Sequence, residues 1–316
     1  MIQQMTFGSL AWAAKKKQTK REKFLGEMGH VVPWGKLTAI IEPYYPKAAN
    51  GRRPMPLERM VRIYFLQQCY ALSDPAMEGA LYDIESVRRF AGIELGDEEV
   101  ADETTILNFR HLLKKHGLTD KLWREVNGDL REKKLLLREG TIVDATLIAA
   151  PSSTKNQDKA RDPEMSSTRK GNNYHFGMKV HAGVDSQSGL VHTVKITTAS
   201  VDDKEEMEKL LHGQERAVFG DKGYLSDQDK RAARKKGLFW GVLDKAKRGK
   251  ALSRRQHRKN RMLASIRAKV EHPFRVIKHQ FGYIKTRYRG LAKNAAQVYA
   301  LFALANLYMA RSALLA

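Results

Sequence analysis

A chain of 316 residues with 42% hydrophobic side chains is long enough for about two domains, each with its own core. Its 57 Lys and Arg against 35 Asp and Glu leave +22 at pH 7, which suits a polyanionic partner, nucleic acid first, because neutralised phosphates release counterions. The single cysteine, Cys69, excludes an intramolecular disulfide framework and a multi-cysteine zinc site, and it reads as a small helix-core residue of a reducing compartment. Near the start, Phe7 to Ala14 precedes Lys15-Lys16-Lys17, the reverse of the order in a secretion signal, so none is expected. The uncharged run from Ala295 to Ala310 is shorter than the ~20 residues that span a bilayer. With Gln297 and Asn306 inside it, it is expected to be a buried terminal helix.

Up to about Glu139 the pattern is helical. Leu57, Met60, Val61, Tyr64, Phe65 and Gln68 predict an amphipathic helix over 57–72. Ser73-Asp74-Pro75 opens a second helix running to about Phe90, and Asp102-Glu103-Thr104-Thr105 a third. That third helix buries Ile106, Phe109, Leu112 and Leu113 and exposes Asn108, Arg110, His111, Lys114 and Lys115, a face for a DNA groove or for solvent. Residues 1–139 carry 23 basic against 19 acidic side chains, so this half is no simple cationic anchor.

From Gly140 the texture changes to strands. Thr141 to Ile148 is a β-branched apolar run interrupted by Asp144, a carboxylate that needs a metal or a structural Arg to be tolerated there. A polar loop of 24 residues, 150–173, holds Lys155, Lys159, Arg161, Arg169 and Lys170. Residues 174–185 then alternate apolar and polar, turn at Asp185-Ser-Gln-Ser-Gly189, and return over 190–198. Their histidines, 175, 181 and 192, are expected to face solvent or a core gap rather than to bind metal. A helix over 202–211 and a short strand over 216–220 lead to Asp221, placed either as a ligand-binding residue at a strand end or as a helix cap. A helix over 227–236, a strand over 238–243 and a basic linker over 245–261 follow. The order, three strands, helix, strand, helix, strand, long helix, is that of an α/β ribonuclease-H-like (retroviral-integrase-like) catalytic domain over 140–316, preceded by an all-α domain over 1–139.

Between Lys230 and Lys293 stand 22 Lys or Arg and two acids, Asp244 and Glu271. Arg267 and Glu271 share a helical face, either as a surface ion pair or as part of a site. Pro273 predicts a kink just past Glu271. Asp144, Asp221 and Glu271 occupy the three places at which the ribonuclease-H order presents carboxylates. Converging acids repel one another, and hard divalent cations relieve that; two magnesium ions would activate an oxygen nucleophile for in-line attack on phosphorus. Arg254, Arg255, Arg258, Lys259 and Arg261 before Glu271, and Lys285, Arg287 and Arg289 after it, would hold DNA. Phe281, Tyr283 and Tyr288 would either stack on bases or pack in the core.

Several stretches carry a resemblance: Ile142-Val143-Asp144-Ala145-Thr146, Phe176-Gly177-Met178-Lys179-Val180-His181, Gly220-Asp221-Lys222-Gly223-Tyr224, Val270-Glu271-His272-Pro273-Phe274, and 281–294. Earlier in the chain, 56–60 and 102–110 add to it. The chain resembles DDE transposases of bacterial insertion sequences, of the IS-five-like family. That resemblance implies Asp144, Asp221 and Glu271 as the catalytic, metal-binding triad, with two Mg2+ ions that Mn2+ would replace. It also implies Arg267 and Lys278 as DNA contacts near the active site. It implies cleavage at terminal inverted repeats and transfer of 3' ends to target DNA by a dimer or larger assembly, in the bacterial cytoplasm at the nucleoid and not at a membrane. Alternatives are a ribonuclease-H-like nuclease that does not join strands and an inactive DNA-binding repressor. Two departures stand out: Ala264 replaces the Tyr usual three residues before the Arg, and Val201-Asp202-Asp203 replaces a usual His-Asp.

Overall fold

The computed structural model describes residues 14–47, 53–94, 99–157, 159–246 and 249–316. Among the described residues seven α-helices form the first part: α1 (Lys20–Val31), α2 (Trp34–Ile41), α3 (Leu57–Cys69), α4 (Asp74–Asp83), α5 (Glu85–Ala91), α6 (Glu103–Lys115) and α7 (Leu118–Glu132). Local chemistry fixes their starts. Thr19 and Glu22 make a capping box for α1, Ser73 accepts from Ala76 N at α4, and Asp102 accepts from Thr105 N at α6. The helix expected to reach Phe90 breaks at Ile84, whose extended backbone separates α4 from α5. Nor is α3 amphipathic: every residue from Met60 to Cys69 except Arg62 is buried, so it is the central rod of this part.

The second part is one mixed sheet: β1 (Gly140–Ala149), β2 (Ser166–Lys170), β3 (Asn173–Asp185), β4 (Val191–Thr198), β5 (Ala217–Gly220) and β6 (Phe239–Val242). β3 pairs antiparallel with β1 along one edge and with β4 along the other, while β5 runs parallel to β1, and β6 parallel to β5. β2, folded from what the sequence presents as loop, pairs with the first residues of β3. Gly177 sits where β3 meets the end of β1, and a Cβ there would lie 2.1 Å from the Ile148 carbonyl oxygen.

Both faces of the sheet are covered. Ile142, Ile148, Met178, Val180, Ala182 and Val184 join the large core shared with the helical part. Val143, Val218 and Val242 pack on the other face with Met207, Leu210 and Tyr224. That second layer buries His181, which bonds Thr197 at 2.8 Å, so the polar side of β3 does not face water there; His175 is exposed. The covering segment is shorter than a 202–211 helix: a 3-10 turn, Asp203–Glu206, and one helical turn, α8 (Met207–Leu210). α9 (Asp227–Lys235) connects β5 to β6.

Much of the expected basic linker is helix, because Ser253 and Gln256 form a capping box that starts α10 (Arg254–Arg267). The helical path continues through Pro273. It tightens to 3-10 over Ala268–Val270, resumes as α11 (Glu271–Arg275), and widens to a π turn over Val276–Gln280, so the irregularity flanks the proline. The last helix, α12 (Leu291–Leu314), packs against α1, α3, α7 and β4. Its polar residues have partners there. Gln297 bonds Gln68 of α3 at 3.0 Å, and Asn306 bonds Asn127 of α7 and both N and O of Val191 at 2.7–2.9 Å. Among the described residues no helix is long and apolar enough to cross a membrane.

Candidate active site

β5 pairs with β1 up to Val143↔Gly220, so the next residues, Asp144 within β1 and Asp221 just past the end of β5, stand side by side. Strands in such a ladder lie about 4.8 Å apart. Asp221 Oδ1 accepts from Lys222 N at 2.7 Å and caps the 3-10 turn Lys222–Tyr224, while Ser226 caps α9. Asp144 Oδ1 accepts from Ala145 N at 2.8 Å, and its Oδ2 accepts from Arg267 Nη2 at 2.9 Å. Burial pushes the Asp144 carboxyl above the usual range. The Arg267 charge and the Ala145 bond oppose that push, and the negative charge of Asp221 adds to it.

Arg267 also reaches the third acid, with Nη1 4.0 Å from Glu271 Oε1. Glu271 is 67% exposed, whereas Asp144 is 18% exposed. The guanidinium therefore links Asp144 to the helix that carries Glu271. Among the described residues no three His, Cys, Asp or Glu side chains gather closely enough to hold a metal ion. The donor chemistry where β5 parts from β1 nevertheless suits a hard divalent cation: two adjacent carboxylates, one of them raised foremost by burial and further by the charge of the other.

A family model described as a transposase DDE domain matches residues 136–307, more than half of the chain. The chain belongs to the DDE transposase family. A second model, described as a transposase domain (DUF772), matches residues 13–112 of this DDE transposase. Among solved structures, the piggyBac transposase synaptic complex with hairpin DNA aligns at 11% identity and TM-score 0.43, over 92% of this chain and 73% of that one. The Mos1 strand transfer complex aligns at 10% identity and TM-score 0.20, over 77% of this chain and 82% of that one.

The cations singled out in this transposase sequence fall into different environments. Arg254, Arg255 and Arg261 stand exposed on α10, and Arg287 and Arg289 are exposed on the segment after the π turn. Lys259 is tethered 3.2 Å from Asp244, whose backbone N and O are held by Asn260. Lys278 is half-buried, and burial together with the charge of Lys170 lowers its pKa. Phe281 and Tyr283 are core residues and unavailable for stacking on bases. Tyr288 is half-buried beneath Arg110, whose guanidinium lies 4.4 Å from its ring centre and 2.5 Å from Asp74. Arg110 is therefore not on a free helix face; Asn108, His111, Lys114 and Lys115 are exposed as expected.

Sequence reasoning missed the surroundings of the strand that carries Asp144. Arg169, Lys170, His175 and Lys179 line a cavity with residues 145–149 of β1 and with Lys278. The signal was there in Arg169-Lys170, but only the β2–β3 pairing shows which strand they stand beside.

Proposed function

We propose that this transposase cleaves DNA at the terminal inverted repeats of a bacterial insertion sequence of the IS-five-like group and joins the 3' ends to target DNA, with Asp144, Asp221 and Glu271 as its metal-binding acids. The observation that carries the reading is the adjacency of Asp144 and Asp221 where β5 parts from β1, with Arg267 standing between Asp144 and Glu271. Three strands in antiparallel order, β4-β3-β1, continued by parallel β5 and β6, support a ribonuclease-H-like catalytic unit over 140–316.

Asp144, Asp221 and Glu271 would hold the metal, two Mg2+ ions with Mn2+ as a substitute; bound there, the ions supply an activated oxygen nucleophile and stabilise the leaving oxygen. The protein's own part is to hold the acids and the DNA. β1 and β5 fix two carboxylates on rigid backbone, and Arg267 offers a cation that a phosphate draws upon. Exposed Arg254, Arg255, Arg261, Arg287 and Arg289 flank the site and supply backbone contacts. Residues 1–139 serve DNA binding and assembly into a dimer or larger species, since two ends are processed together, and the protein works at the bacterial nucleoid.

The test is strand cleavage on end DNA with Mg2+. Asp144→Asn, Asp221→Asn and Glu271→Gln are each expected to abolish cleavage while retaining DNA affinity within about threefold; a variant that cleaves normally removes its residue from the triad. Incubating pre-cleaved ends with plasmid separates a joining enzyme from a nuclease that only cuts.

A further inference from the structure

The cavity beside Asp144 has a composition that duplex contacts do not require. Its volume is about 440 Å3, and it lies between β1, the β2–β3 hairpin and the segment from Lys278 to Ile284. Its cations are Arg169, Lys170, Lys179 and Lys278, with the imidazole of His175 beside them, and its one acid is Asp203. Asp203 is taken by Lys179 at 3.0 Å, which also donates to the Val201 carbonyl at 2.6 Å. Lys170 and Lys278 make no ion pair or side-chain hydrogen bond among the described residues, and their charges oppose one another across the cavity. Two unneutralised ammonium groups facing one concavity mark a place for an anion.

The floor is an open strand edge. β5 leaves β1 after Val143, and the next backbone partner on that edge is Thr286 N, which donates to Ala149 O at 2.8 Å. Residues of an antiparallel strand turn their N–H and C=O alternately to either edge. Ala150 N donates to Phe176 O on the β3 side, so Ala149, Leu147 and Ala145 turn theirs the other way. Ala145 N is taken by Asp144, which leaves the Leu147 N–H and C=O as a free donor and acceptor on the cavity floor. Half-buried Phe176 and Ile284, 62% exposed, add apolar surface. Leu147 is three residues along the strand from Asp144, about 10 Å at the usual rise.

We propose that this cavity receives an unpaired nucleotide of the DNA strand that passes over Asp144, its phosphate on Lys170 and Lys278 and its base against Phe176 and the free backbone edge at Leu147. This deepens the transposase reading and rests on it. A duplex is too wide for the cavity. A single base, by contrast, offers both a face for apolar contact and an edge of donors and acceptors for an amide pair. Phosphate contact alone would need neither the open edge nor the apolar wall.

The test measures binding by the full chain in EDTA, so it does not depend on cleavage. The probes are a fluorescein-labelled ten-residue oligothymidylate and a blunt hairpin duplex with the same number of nucleotides. Lys170→Ala with Lys278→Ala, which strips the phosphate contacts that seat the nucleotide, is expected to weaken the oligothymidylate about tenfold and the duplex less than threefold. Lys235→Ala with Lys236→Ala, which removes the same charge beside α9, is expected to weaken both probes alike. Equal losses on both probes for the first pair, or no loss on either, would overturn the proposal. Photocrosslinking with 5-iodouracil in the oligonucleotide is expected to label Phe176 or His175; labelling confined to residues outside the cavity counts against it. A failure here leaves the triad variants to judge the cleavage reading separately.

Discussion

Replacing Arg267 by Gln isolates the ion pair at the centre of the site. At an effective dielectric near 20 and ~4 Å between charge centres, the gross attraction of Arg267 for Asp144 is about 4 kcal/mol. Both side chains keep some solvent contact, at 24% and 18% exposure, which places the loss between that of exposed pairs, about 0–1 kcal/mol, and that of buried ones, about 3–5 kcal/mol. We expect Arg267→Gln to cost about 2 kcal/mol by urea denaturation in EDTA at pH 7.5. The sign with pH follows from the Asp144 carboxyl, which is already raised with Arg267 present. Without the guanidinium it rises further, so the folded state holds its proton to higher pH than the unfolded state, which releases it near ~3.9. The deficit of the variant is therefore expected to be small at pH 4, to widen as pH rises through the folded value, and to level off above it. In a cycle with Asp144→Asn the coupling should be about 1–2 kcal/mol, and Mg2+ should restore part of the loss in Arg267→Gln alone. A coupling below about 0.3 kcal/mol would refute a functional link between this pair and the site.

Three further perturbations test the frame around the site. Gly177→Ala forces a methyl against the Ile148 carbonyl, and a loss on the order of 3 kcal/mol in thermal or urea unfolding is expected, with the end of β1 exchanging its amides faster. Asn306→Ala strips partners from Val191 and Asn127, so a cost of about 2–3 kcal/mol is expected from urea titration; a cost under about 0.5 kcal/mol would mean that the polar cluster is not structural. His192 is held neutral, its pKa lowered to about 3 foremost by burial and then by the charges of His212 and Arg138. The unfolded chain takes that proton near ~6.5, so stability falls as pH drops below it, by about 2 kcal/mol between pH 7 and pH 5. His192→Gln should flatten that limb of the stability profile.

The sequence is informative where local chemistry decides. The caps at Ser73 and Asp102, the alternation along β3 and the isolation of Asp144 in an apolar run all point to elements that form. It is silent where distant segments decide. The break at Ile84 and the burial of Gln67 depend on what packs around α3 and α4. β2 carries no hydrophobic pattern and exists because β3 offers it an edge. In the site, the acids and Arg267 are legible as residues, but the sequence alone gives no hint that Arg267 sits closer to Asp144 than to Glu271, its neighbour in the helix. Lys259 and Arg110 misled for a related reason: each faces outward by helical period yet is claimed by an acid from another segment, Asp244 or Asp74.

The place of α12 has a consequence for how the protein comes into being. Phe302 lies between Trp123 of α7 and Phe274 of α11, and the same helix covers α1 and α3. Synthesis delivers the opening helices first and this cover last. On a ribosome paused before Leu291, the apolar surface of the helical half that α12 covers is still open.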